Sequence, residues 1–169
     1  IDDYNIDAIN SNVSRDWRYL YSTIGKVNNV INNVNDVPDP ALTESRKKEI
    51  LGEASFIRAF MYFQAVQLWG DVPLQLESVT TISIDILPEI YPLLFPPRAT
   101  KEEIYAQILT DLNVALANVR TTAPHKGYAT QGAVNALLAK VYATQEPHDW
   151  NKVKEYCDNV IALGYTLMP

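Results

Sequence analysis

The sequence predicts an all-α protein built as a stack of helix pairs, with one long irregular loop insertion at about 74–99. Three observations predict it: apolar residues recur at steps of three and four through most of the chain, helix-capping residues stand where those periodic runs begin, and two of the runs repeat further along.

Trp17, Leu20, Ile24, Val27, Ile31 and Val34 fall on one stripe and define a first helix from near Ser14. Pro38 and Pro40 break it, because proline has no N–H to continue the ladder. Asp39 with Pro40, or else Thr43, then caps a second helix that runs to Trp69. Ile50, Ala54, Ile57, Met61 and Leu68 form one stripe of that helix and Phe56, Phe60 and Phe63 another, so it reads as buried on two sides. Gly70 can take the left-handed conformation that closes a helix, and Val72 before Pro73 is pushed extended, so the chain leaves sideways. Between 74 and 98 it is proline-rich and too apolar for a flexible linker, which predicts an ordered excursion over the surface.

Thr100 and Glu103 have the spacing of a capping box for a third helix, whose inner face takes Tyr105, Ile108, Leu112, Ala115 and Leu116. A fourth helix, about 130–144, carries Ala133, Ala136 and Ala139 beside Val134, Leu137 and Val141. A fifth follows the Glu146-Pro147-His148-Asp149 loop, points Trp150, Val153, Cys157, Val160 and Ile161 inward, and stops at Gly164.

A shift of 80 residues carries Gly52, Ala59 and Tyr62 onto Gly132, Ala139 and Tyr142. A shift of 45 carries Tyr105, Ile108, Leu112, Ala115 and Leu116 onto Trp150, Val153, Cys157, Val160 and Ile161. A helix with small and aromatic residues followed by an amphipathic partner resembles the tetratricopeptide unit, which implies a right-handed stack of tetratricopeptide-like pairs, the first of them carrying the excursion as an insertion.

Composition narrows function. A chain of 169 residues with 47% hydrophobic residues suits one domain. Twenty acidic against fourteen basic residues give a net charge of -6, so no field draws in phosphate backbones and no nucleic-acid partner is expected. The single cysteine, Cys157, forms no internal disulfide and reads as packed inside. No apolar run approaches a membrane span, and the start at "IDDYNID" reads as a piece of something larger, with any signal or lipid anchor upstream.

No G-x-S-x-G, Walker loop, G-x-G-x-x-G, H-E-x-x-H or C-x-x-C occurs. His125 and His148 sit beside prolines without partners at ligand spacing, so no catalytic residue, cofactor or metal is expected. Glu53 and Arg58 interrupt the buried helix and read as structural ion pairing, and Asn28, Asn29, Asn32 and Asn33 as a solvated flank. The ten tyrosines and three tryptophans suit stacking on the C–H faces of sugar rings. Tyr62, Tyr105, Tyr142, Trp150 and Tyr156 are assigned to the core. Tyr4, Trp17 and Tyr19 instead surround the first helix start, among Asn10, Asn12, Arg15 and Asp16.

The stretch "EASFIRAFMYFQAVQLWGDVPL" resembles the signature of SusD/RagB-like nutrient-binding proteins, through Glu53, Ala54, Ile57, Arg58, Ala59, Tyr62 and the Gly70-Asp71-Val72-Pro73-Leu74 exit. "DWRYLYSTIGKVNNVI", "RATKEEIYAQILTDLNVAL" and "KGYATQGAVNALLAKVYAT" with "DWNKVKEYCDNVIALGYTL" resemble further segments of the family, in the same order. The resemblance implies an N-terminal helical SusD-like domain over 1–169. It implies a non-enzymatic, surface-exposed outer-membrane lipoprotein that captures an oligosaccharide beside a SusC-like TonB-dependent transporter, touching the membrane only through an anchor upstream. Cys157 lies deep in a predicted helix and does not match the family's lipid-carrying cysteine. Because the family tends to draw part of its site from before the first long helix, Asn12, Arg15 and Trp17 are the ligand-binding candidates. The repeats taken alone leave a tetratricopeptide-type protein-binding scaffold open, and the family also includes peptide-binding RagB-like members.

Overall fold

The structure is a computed structural model and describes residues 10–79, 81–123, 125 and 127–165. Helix α1 spans Ser11–Asn33 and passes through a short 3-10 turn, Val34–Asp36. It starts about a turn before the expected position because Asn10 caps it: the Asn12 and Val13 N–H groups donate to Asn10 Oδ1 at 3.0 and 3.4 Å. Helix α2, Glu44–Trp69, is capped by Thr43, whose Oγ1 accepts from the Arg46 N–H at 3.2 Å. Gly70 closes it in the left-handed region at φ 70°.

The excursion is more regular than expected. Strand β1, Val72–Pro73, pairs antiparallel with β2, Arg98–Ala99, so the segment is clasped at its base. Between them α3, Leu87–Leu94, replaces part of the irregular loop. Pro88 sits in its first turn, where the missing N–H costs nothing.

Helix α4, Lys101–Asn118, begins with the predicted capping box, the Glu103 N–H donating to Thr100 Oγ1 and the Thr100 N–H to Glu103 Oε2. Helix α5 spans Gln131–Thr144 and α6 Trp150–Ala162. α2 packs on α1 and α4, α4 also on α5, and α5 on α6. This is the all-α, tetratricopeptide-like stack that the repeats imply.

The core is the seam between these helices. Ile24, Tyr62, Ile104, Ile108, Leu112, Leu138 and Val141 are fully buried, each aliphatic side chain contributing about 1.5–3 kcal/mol of transfer free energy. The two glycines of the 80-residue repeat share one task. A Cβ on Gly52 would lie 2.9 Å from Asn118 Cβ and 3.1 Å from Val119 N, where the chain leaves α4. One on Gly132 would lie 2.3 Å from the Tyr165 ring, just past α6. In each pair the first helix keeps a bare backbone where the end of the second crosses it.

Three expectations need correction. In α2, Phe63 is buried, but Ile57 and Phe60 are exposed and Leu68 is 62% exposed, because α1 and α4 cover two sides of the helix and leave a third open. In α6 the core residue is Tyr156, next to the predicted stripe, stacked on Tyr142 with ring centroids 5.7 Å apart. Trp150 is 64% and Ile161 67% exposed, and Cys157 is exposed rather than packed inside, because among the described residues α6 packs chiefly against α5.

Candidate ligand-binding surface

The start of α1 places two of the three candidate residues on one side and the third on another. Asn12 and Arg15, one turn apart, are exposed, and the Arg15 guanidinium donates to Asp16 Oδ1 through Nε at 3.1 Å and Nη2 at 3.0 Å. Trp17 comes two residues after Arg15 and so lies about 200° further round the helix. There it is half-buried, 4.6 Å from the Tyr21 ring and edge-on to Trp69 at 5.2 Å and 86°. The structure therefore brings Asn12 and Arg15 together as a polar, amide-and-guanidinium surface and separates Trp17 from them as part of an aromatic cluster. Tyr19, on the exposed side, is open to solvent; Tyr4 lies outside the described residues.

The aromatic cluster is anchored to the start of the excursion. Tyr21 Oη donates to the Pro73 carbonyl at 2.7 Å, and burial pushes its pKa well above the ordinary phenol value, so it stays a donor. Tyr62 Oη donates to the Gln75 carbonyl at 2.8 Å and accepts from the Gln75 N–H at 2.7 Å, with its pKa pushed up to about 12, chiefly by burial. Asn28, expected on a solvated flank, is instead fully buried: its Nδ2 donates to the same Gln75 carbonyl at 2.8 Å and its Oδ1 accepts from Arg58 Nη1 at 3.0 Å.

Arg58 then closes a bidentate pair with Asp111, Nε to Oδ2 at 2.8 Å and Nη2 to Oδ1 at 2.7 Å, with Gln107 Nε2 on the same carboxylate at 2.9 Å. Every buried side-chain polar atom of this network is partnered, which marks it as structural. Its product is a fixed path for residues 72–76. Glu53, the other charge read as interrupting the buried part of α2, pairs with Arg46 on the same helix.

Beyond the clasp the excursion presents aromatics that sequence reasoning did not single out. Tyr91 and Phe95 of the α3 region are 57% and 66% exposed, with ring centroids 5.0 Å apart. The available signal was an apolar stretch in a segment that reads as surface. Two shallow clefts flank α2. One, of about 470 Å³, is lined by Glu53, Phe56, Ile57 and Tyr128, and the other, of about 560 Å³, by Gln67, Lys101, Tyr105, Leu109 and Gln145.

Among the described residues no group of three or more His, Cys, Asp or Glu could hold a metal, and no helix is long and apolar enough to cross a membrane. His148 Nδ1 lies 2.8 Å from the Gln145 carbonyl and its ring packs 5.4 Å from Trp150, a loop contact. The exposed rings of the surface and its amide and guanidinium groups offer stacking faces and hydrogen-bonding groups.

A family model described as starch-binding and associating with the outer membrane, SusD-like, matches residues 1–143. The chain belongs to the SusD-like family. A SusD-like protein of Bacteroides ovatus is 29% identical over 148 residues, covering 88% of this chain and 25% of that protein. A SusD-like protein of Formosa agariphila is 30% identical over 120 residues, 67% of this chain and 21% of its own length. The chain thus spans about a quarter of the length of the SusD-like relatives it matches. A solved structure described as being with xylogluco-oligosaccharide superposes with a TM-score of 0.76 at 28% identity, over 96% of this chain and 32% of that one. A laminarin-binding SusD-like protein superposes at 0.75 and 27% identity, over 90% and 32%.

Proposed function

We propose that the SusD-like protein to which these residues belong captures oligosaccharide nutrients at the cell surface without chemically altering them. The observation that carries this reading is the superposition, over nearly the whole chain, on proteins described with a xylogluco-oligosaccharide and with laminarin. The site chemistry agrees with it. Half-exposed and exposed aromatics offer faces for sugar C–H groups, and Asn12 and Arg15 offer donors for hydroxyls.

In this reading residues 1–169 form the N-terminal helical domain, with the insertion at about 74–99. The rest of the protein completes the ligand face. The protein is a lipoprotein, anchored upstream of this chain in the outer membrane, and passes its glycan to a SusC-like TonB-dependent transporter. Asn12 and Arg15 contact the ligand from one side of α1, and the half-buried Trp17 contacts it from the other side of that helix.

A glycan array probed with full-length protein tests the reading, and binding of peptides alone would redirect it to the RagB-like alternative. Co-purification of the full-length protein with a TonB-dependent outer-membrane protein tests the transporter partnership. In full-length protein, Arg15→Ala is expected to weaken glycan binding roughly tenfold, the worth of one charge-assisted hydrogen bond. Trp17→Ala is expected to lower stability by about 2 kcal/mol and affinity as well. Unchanged affinity in folded Trp17→Ala protein would remove Trp17 from the site.

A further inference from the structure

The two clefts that flank α2 differ in what their polar groups are doing. In the cleft beside Phe56, Ile57 and Tyr128 the charged wall is Glu53, which Arg46 already holds. The other cleft, of about 560 Å³, lies between the end of α2, the start of α4 and the end of α5. Buried Val66 and half-buried Tyr105 and Leu109 give it an apolar floor. Gln67, Lys101 and Gln145 line it with two amides and an ammonium group, and Glu102 and Glu146 add carboxylates. None of these five polar side chains, nor the Tyr105 hydroxyl, makes a hydrogen bond or ion pair with another described residue.

The convergence follows from the fold. The chain leaves α2 through β1 and enters α4 through β2, and the pairing of those strands holds the end of one helix beside the start of the other. α5 packs on α4, and Thr144 with the two residues after it forms the third wall. The cleft therefore lies on the α4 side of α2, whereas Trp17 meets Trp69 on the α1 side. It is a site apart from the one proposed at the start of α1.

We infer that the cleft of Gln67, Lys101, Tyr105 and Gln145 is a second saccharide site, which takes a short neutral oligosaccharide; this rests on the glycan-capture reading. Each sugar hydroxyl both donates and accepts. The amides do the same, the ammonium donates, the carboxylates accept, and Tyr105 offers a ring and a hydroxyl. An apolar floor with a few convergent polar groups, in a space of this size, is the general form of a small-ligand site. One cation against two carboxylates creates no positive field, so a phosphorylated or sulfated ligand is disfavoured.

Lys101 reports on occupancy, because its ammonium group is exposed and makes no ion pair with a described residue. In full-length protein its acetylation by an N-hydroxysuccinimide ester is read by peptide mass spectrometry, with the exposed Lys26 and Lys48 as internal controls. Laminarin or xyloglucan oligosaccharide at about ten times this site's Kd is expected to slow the reaction of Lys101 roughly tenfold, by mass action. Arg15→Ala is expected to leave that protection in place, and Gln67→Ala combined with Gln145→Ala to abolish it. Four outcomes would overturn this site while the glycan reading stands: Lys101 unreactive without sugar, Lys101 reacting at one rate with and without an oligosaccharide that the protein binds, protection lost in Arg15→Ala protein, or protection kept in the double variant. Absence of any oligosaccharide binding would overturn both.

Discussion

Arg58 shows how much of the molecule one side chain holds. Its guanidinium joins α1 through Asn28, α4 through Asp111 and, through Asn28, the carbonyl of Gln75 at the start of the excursion. Removing one partner leaves an uncompensated buried charge, so Asp111→Ala is expected to cost about 3–5 kcal/mol in chemical denaturation, and an apolar replacement of both partners less than that. A double variant as unstable as the sum of its singles would contradict this. Glu49 makes a pH prediction. Hydrogen bonds from Arg120 and then Arg46 hold its carboxylate at a pKa of about 2, below the ordinary 4.5. A depressed carboxylate contributes stability that is present above the unfolded value and lost as pH falls through the folded one. Glu49→Gln should therefore flatten the stability curve between about pH 4.5 and 2, an effect that salt reduces because the group is near the surface. The sequence announced that Arg58 needs a partner, but not that Asp111 is the partner or that Asn28 is buried, since both facts depend on which helices meet.

At the scale of elements, the glycines make the sharpest distinction. Gly52 faces backbone and Cβ atoms of residues 118 and 119, which cannot swing aside, so Gly52→Ala is expected to cost about 1–3 kcal/mol. Gly132 faces only the far end of the exposed Tyr165 side chain, which can, so the helix preference of about 1 kcal/mol for alanine is expected to leave Gly132→Ala neutral or stabilised. Urea denaturation of the two variants side by side checks the ordering. Helix boundaries were legible because caps are local: Thr43, Thr100 and the Gly70 stop stand where sequence reasoning puts them. The inward face of α6 was misread because Trp150, Cys157 and Ile161 are apolar, and periodicity reports an apolar face without naming what covers it. Helix α3 was missed for the opposite reason, since Pro88 and Pro92 read as breakers although the first suits a helix start.

For the whole molecule, the family is carried by an ordered set of helices, while a binding surface depends on loops that local patterns do not fix. The split of Asn12 and Arg15 from Trp17 is of this kind, because residues adjacent in sequence point to opposite sides of one helix. The helical stack sets where the excursion starts: the β1–β2 clasp and the Tyr62 and Asn28 bonds to Gln75 fix its first residues. The measurement that tests the central claim most directly is calorimetric titration of the full-length protein with xyloglucan and laminarin oligosaccharides and with peptides, with chromatography of the ligand before and after. Saturable heat with an oligosaccharide that is recovered intact, and none with peptides, is the predicted result. Heat from peptides alone, or recovery of shortened sugars, would contradict it.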